Sequence, residues 1–173
     1  QVMNTSYDQF HIVNSYGVFG SITKKRFEII IKGTKDSVID QNTDWQEYEI
    51  PCKPGDIYKT PCSRAPYHYR LTWQIWFAAM GSYHYNPWLV YFVYKLLEGD
   101  KGALSLLEKN PFPMDLPKYI KLDLYHYQFA DPKNKEGSWY TRKFVREYLP
   151  PLSLESNFLK NYIRSKGWSK VSH

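Results

Sequence analysis

Apolar and polar positions alternate at both ends of this chain and take a helical period in the middle. Arg26-Phe-Glu-Ile-Ile-Ile-Lys-Gly33 is β-branched and aromatic, which favours extended backbone, and Gly33-Thr-Lys-Asp36 opens a polar loop. Trp45-Gln-Glu-Tyr-Glu-Ile50 alternates, which predicts an antiparallel partner for that strand with one face wet. Upstream, residues 10–16 can enter the sheet, with Gly17 and Gly20 allowing a turn. Residues 51–66 hold four prolines, so regular structure is excluded there.

From Leu71 the period changes. Leu71, Ile75 and Ala79 line one stripe, widened by Trp73, Trp76, Phe77 and Met80, which predicts a helix over about 71–81. Asn86-Pro87 is a cap followed by a first-turn proline, opening a second helix to Leu97 that is apolar on nearly all sides and ends at Gly99. Such a helix is buried or covered by a partner, and it is too short to span a bilayer. Asp100 caps a third helix through about Glu108, with Pro111 and Pro113 beyond it.

Alternation returns in Tyr119–Phe129. Tyr119, Lys121, Asp123, Tyr125, Tyr127 and Phe129 go to one face, and Ile120, Leu122, Leu124, His126 and Gln128 to the other. A charged turn over 131–137 leads back through 138–148, a second hairpin. After Pro150-Pro151, Ser153 caps a last helix with the stripe Leu154, Phe158, Leu159, Tyr162 and Ile163, closed by Gly167. The order predicts an α+β fold: an antiparallel sheet of about five strands, a helical insertion in the middle and a C-terminal helix.

The length of 173 residues fits a single domain with a sizeable core. Aromatic residues make up 18 %, which argues against disorder and suits both a core and an interface, because Tyr joins an apolar body to a polar tip. The net charge is +6, leaning to the C-terminal half, but basic residues are interspersed with acids and no nucleic-acid motif accompanies them, so a solvated face is the expectation. Position 1 is Gln and no apolar run reaches the length of a span, so the chain reads as a fragment or processed product.

Candidate chemistry is thin. His68 is the best base among five histidines, yet no activated-nucleophile motif accompanies it; His84 lacks a third metal ligand at readable spacing, His126 falls on the leucine face of its strand, and His11 and His173 carry no signal. Glu47 and Glu49 point to one face and read as a solvated edge rather than a glycosidase pair. No catalytic residue, metal or cofactor is expected. Cys52 and Cys62 are the only cysteines; their spacing is neither a redox nor a zinc motif and fits a local disulfide or two free thiols. Asn4-Thr-Ser6 is an N-glycosylation acceptor. What remains is recognition: rings at Tyr67, Tyr69, Trp73, Trp76, Phe77, Tyr83, Tyr85 and Trp88 with Arg70 among them could wall a groove.

Several motifs occur in one order: Asn14-Ser-Tyr-Gly-Val-Phe-Gly20, the aromatic stretch Ala65–Met80, Asn86-Pro-Trp88, Asn110-Pro-Phe-Pro113 and Glu147-Tyr-Leu-Pro-Pro-Leu-Ser153. Together they resemble the soluble C-terminal region of the lipase maturation factors, from about residue 10 to the end. One departure is Thr72, where the family pattern carries Asp. The resemblance implies a single lumenal domain at residues 1–173, following a membrane-spanning half, on the lumenal side of the endoplasmic reticulum membrane, or in a bacterial membrane for a bacterial chain. It implies a non-enzymatic folding and assembly factor whose partners are an immature secreted lipase and its own membrane-spanning region. A lumenal setting favours the Cys52–Cys62 disulfide. Tyr67, His68, Tyr69, Arg70, Trp73, Trp76 and Trp88 are then the candidate client-binding residues. The alternative is a carbohydrate-binding module, or a glycan-active enzyme, using the same Tyr and Trp surface.

Overall fold

The computed structural model describes residues 25–62, 69–131, 133 and 136–168. Its centre is an antiparallel sheet of four strands: β1 (Arg26–Thr34), β2 (Gln46–Glu47), β3 (Tyr119–Phe129) and β4 (Tyr140–Leu152), in the spatial order β2-β1-β3-β4. The expected strand at 10–16 lies outside the described residues. Both predicted hairpin pairings are present and antiparallel. Between β2 and β3 come α1 (Arg70–Ala79), α2 (Pro87–Leu97) and α3 (Lys101–Leu104), and α4 (Asn157–Ser165) follows β4. β1 and β3 are thus central neighbours despite the long insertion, paired from Arg26↔Tyr127 to Thr34↔Tyr119.

The strand alternation decides which side the helices take. Ile29 and Ile31 of β1, Ile120, Leu122 and Leu124 of β3, and Leu149 and Leu152 of β4 join one apolar cluster with α1, α2 and α4. α2 lies inside it: Leu89, Val90, Phe92, Val93, Leu96 and Leu97 are buried, with Leu159 and Ile163 of α4 in the same cluster. Its apolar circumference is therefore satisfied within the chain. Gly33 lets Phe112 lie on the sheet, since a Cβ there would meet the Phe112 Cε2 at 2.6 Å.

Four boundaries differ from the pattern. β2 is two residues long because the backbone leaves β1 after Tyr48 and bridges Glu49 to Lys109, where the Glu49 carbonyl accepts the Glu108 N–H at 2.8 Å. The same capture shortens α3 to Lys101–Leu104 instead of 100–108. β4 runs past residue 148 through Pro150-Pro151 to Leu152, permitted because it is an edge strand with register shifts, where a missing N–H breaks no ladder. α4 is capped at Ser156 rather than Ser153, so Leu154 and Phe158 leave the stripe and stay exposed.

One face of the 45–50 strand was expected to be wet; the matching sheet face is covered over the middle of β1 and β3 and exposed toward Phe129 and Phe144. Residues 51–62, tied by the Cys52–Cys62 disulfide, lie across it. Tyr127 Oη donates to the Gly55 carbonyl at 2.7 Å, and the N–H groups of Trp139 and Tyr140 both reach the Ile57 carbonyl, at 2.8 and 3.1 Å. Cys52 adopts a left-handed backbone at φ 56°, unusual for a residue with a Cβ, at the turn that aims Lys53 inward. Beneath the loop, Glu28 and Lys53 are buried together, with Lys53 Nζ 3.1 Å from Glu28 Oε2, while Arg26 Nε donates to Glu28 Oε1 at 2.8 Å. Lys53 Nζ also donates to the Pro54 carbonyl at 3.3 Å, so its approach to Glu28 is an ion contact and not an aligned hydrogen bond. Burial, opposed by the Glu28 charge, pushes the Lys53 ammonium below its ordinary range.

Two outcomes test this arrangement. Lys53→Met leaves a buried carboxylate short of a charge and is expected to cost about 3–5 kcal/mol, whereas Glu28→Leu with Lys53→Met recovers most of it, as read by denaturant unfolding of the double-mutant cycle. Replacing both cysteines by serine is expected to cost roughly 2–3 kcal/mol and to raise hydrogen exchange at the Trp139 and Tyr140 amides, which lose their loop acceptor.

Candidate functional site

α1 carries the candidate residues, and its two faces have opposite character. Ile75, Ala78 and Ala79 are buried, the two alanines letting the helix approach the sheet closely. Tyr148 Oη donates to the Ala78 carbonyl at 2.8 Å, and Thr72 Oγ1 donates to the Pro51 carbonyl at 2.6 Å, which joins the helix to the start of the disulfide loop. Thr72 is thus used as a short neutral donor. Tyr69, at the N-cap, makes no side-chain capping bond, and no acidic residue sits in the first turn. The helix is held by packing more than by its termini.

The outer face is aromatic. Trp73 and Trp76 stand edge to face at 5.3 Å between centroids, Trp73 and Phe77 stack at 5.5 Å, and Trp76 meets Phe77 at 5.3 Å. The two indoles are half-buried, while Phe77 is 38 % and Met80 51 % exposed. Tyr85, on the one-turn 3₁₀ helix that follows, is 86 % exposed. Such rings lose few rotamers on contact and carry a large apolar area, which is the composition of a binding anchor.

Of the candidates, the fold brings Trp73 and Trp76 together and leaves Tyr69 and Arg70 exposed at the same helix's N-terminus. Tyr67 and His68 lie outside the described residues. Trp88 does not join the group: it opens α2 and packs against the core. Tyr83 goes inward as well, 6.4 Å from the Tyr148 ring. The groove imagined between helices and sheet is therefore a convex stripe on α1. Phe77, counted among the groove rings but not among the client-binding residues, and Met80 belong to it; the signal was the spacing 73, 76, 77, 80, which puts all four on one helical side.

The charged cluster on the loop-covered sheet face is the other place where chemistry could reside. Arg142 holds Glu47 through both guanidinium nitrogens at 2.8 and 2.9 Å. Lys32 Nζ donates to Tyr125 Oη at 2.7 Å and lies 3.3 Å from Asp123 and 3.4 Å from Glu47. Desolvation works against the Lys32 charge, but the Tyr125 hydrogen bond and its acidic neighbours hold its pKa above the ordinary value. Burial pushes the Tyr127 hydroxyl up to about 12. Each acid has a basic partner, and the cluster's chemistry is that of mutual charge compensation. Glu47 and Glu49 stay partly exposed on the β2 edge and are ion-paired there: Glu49 meets Lys59 and Lys109 at 3.5 Å each. His126 stays on the leucine side, 5.3 Å from the Phe27 ring. Among the described residues no group of three His, Cys, Asp or Glu could hold a metal ion, and no helix is long and apolar enough to cross a membrane.

Residues 12–150 match the family described as the lipase maturation factor C-terminal domain. The chain is 47 % identical over 97 % of its length to human lipase maturation factor 1 and 44 % identical over 97 % to the mouse protein, covering 30 % of each relative. It is 35 % identical over 96 % to lipase maturation factor 2 of Xenopus laevis, covering 24 % of that protein. The chain thus spans about a third or less of the relatives it matches. No solved structure matches it. The ordered motifs, the α+β fold they occupy and a family match across most of the chain agree, and the chain belongs to the lipase maturation factor family as its C-terminal domain.

Proposed function

We propose that this domain, residues 1–173, acts on the lumenal side of the endoplasmic reticulum membrane as the client-holding part of a lipase maturation factor. It grips an immature secreted lipase through protein contacts, without catalysis, and is tethered to a membrane-spanning region of the same protein. The observation that carries the reading is the outer stripe of α1, where Trp73, Trp76 and Phe77 pack on one another and Phe77 and Met80 remain open to solvent. An apolar stripe beside exposed Arg70 suits a client that still exposes hydrophobic surface. The names of the relatives support lipases as the clients. The disulfide and the Asn4 acceptor agree with an oxidising, glycosylating lumen. Nothing in the relatives favours the carbohydrate-binding alternative.

The test is maturation measured beside stability. In cells lacking the endogenous factor and expressing the full-length protein, Phe77→Ser and Trp76→Ala are expected to cost about 1–3 kcal/mol of client binding, and to lower secreted active lipase accordingly, with the fold retained. Leu89→Ala in buried α2 is the contrast: it should lose about 2–5 kcal/mol of stability, and activity only as the fold is lost. Activity that tracks melting temperature across all three variants would remove the α1 stripe from the reading.

A further inference from the structure

Among the described residues β4 is an edge strand, and no strand pairs with its outer side over the stretch where its side chains are most exposed. Residues 141–147 are all exposed, Phe144 at 52 % and Val145 at 45 %. The ladder phase tells which backbone groups point outward. Ala130 N–H donates to the Trp139 carbonyl at 2.9 Å, the bond that flanks a non-hydrogen-bonded Phe129↔Tyr140 pair, so the pairs that follow alternate from there. Along the register Gln128↔Thr141, Tyr127↔Arg142, His126↔Lys143 and Tyr125↔Phe144, the residues Thr141 and Lys143 face β3, while Arg142 and Phe144 turn their N–H and C=O outward. Tyr140 is the preceding outward residue, and its N–H already bonds the Ile57 carbonyl at 3.1 Å. The disulfide loop thus uses the first outward position, and among the described residues nothing occupies the next two.

We propose that this outer edge of β4, at Arg142 and Phe144 just ahead of the register shift that follows Phe144, takes an extended acidic segment of the client as an added strand, which deepens the reading of the domain as a client holder and rests on it. Charge selects the occupant. Lys143 makes no ion pair among the described residues, and Arg146 meets only carbonyls, those of Glu147 at 3.4 Å and Gly81 at 3.5 Å, while its guanidinium lies over the Tyr148 ring. Both bases sit on the helix side of the sheet, where an incoming strand would place alternate side chains. A second copy of this chain is disfavoured, because antiparallel pairing centred on this stretch sets Lys143 of one strand against Arg146 of the other, while Arg142, opposite Glu147, is already held by Glu47. The edge also adjoins the aromatic stripe: the Arg146 and Tyr148 contacts are made with Gly81 and Ala78 at the α1 C-terminus. A client segment paired with β4 leads directly onto Phe77 and Met80. The strand supplies sequence-tolerant backbone bonds and the stripe supplies apolar area.

The experiment uses a capped peptide of alternating valine and glutamate, with a valine and lysine peptide as its control, titrated onto this chain by calorimetry and followed by amide exchange. The acidic peptide is expected to slow exchange at the Arg142 and Phe144 amides at least tenfold, and the basic one to leave them unchanged. Phe144→Pro removes an outward N–H without touching the β3 ladder and should abolish binding, whereas Phe144→Ala keeps the N–H and should bind within threefold of the parent. Should the proline variant unfold β4, Lys143→Glu with Arg146→Glu decides instead, by reversing the peptide preference. Equal binding of both peptides, or binding untouched by proline or by charge reversal, overturns the proposal. The readout involves no lipase, so it separates from the maturation assay: loss of edge binding with an active α1 stripe would sink the strand and spare the client reading, and the converse would do the opposite.

Discussion

The buried carboxylate of Glu28 is the constraint on which the rest of this domain depends. A central strand of an antiparallel sheet normally shows one face to water, and a glutamate on that face needs no partner. Here Glu28 is 1 % exposed, and an ionised group at that depth persists only when paired. Its partners come from different places: Arg26 from two residues away on the same strand, and Lys53 from the proline-rich loop. Lys53 reaches it because Cys52 turns the backbone through a left-handed conformation and the disulfide to Cys62 closes the loop. The loop then forms the second layer over the sheet, with the Gly55 and Ile57 carbonyls taking the Tyr127 hydroxyl and the Trp139 and Tyr140 amides. A disulfide, a buried ion pair and a few backbone acceptors thus do on one face what three helices do on the other.

That division of labour frees α1 to be two-sided. The core takes from it Ile75, Ala78 and Ala79, with Leu71 packed alongside, because α2 contributes six buried residues beneath the sheet. Its remaining side chains carry Trp73, Trp76, Phe77 and Met80 outward, more ring surface than a solvated helix face requires. The helix is fastened at both ends, through Thr72 to Pro51 and through Ala78 to Tyr148, so the stripe is presented on a rigid support. A rigid aromatic stripe spends little entropy on ordering when it meets a client. The β4 edge beside it is equally fixed, its inner side committed to β3 and its outer side, among the described residues, left with Arg142 and Phe144 open.

Much of this was legible from residue order alone. The alternation of Tyr119–Phe129 assigned both faces of β3 correctly, the Ile29–Ile31 run and the turn residues specified the sheet, and Asn86-Pro87 marked the start of α2 to within a residue, because period and turn chemistry are local properties. The motif order was sufficient to place the chain in its family. Tertiary structure decided the rest. Whether the polar face of β3 is wet depends on where the cysteine loop lies, and loop placement follows from long-range pairing of Lys53 with Glu28, which no local pattern encodes. Glu49 capturing the backbone at Glu108 and Lys109 shortened both β2 and α3, a contact across some sixty residues. And among the rings between Tyr69 and Trp88, only packing separated Trp88 and Tyr83, which face the core, from Phe77 and Tyr85, which face solvent, since an aromatic side chain has the same chemistry on either side of a helix until a neighbour covers it.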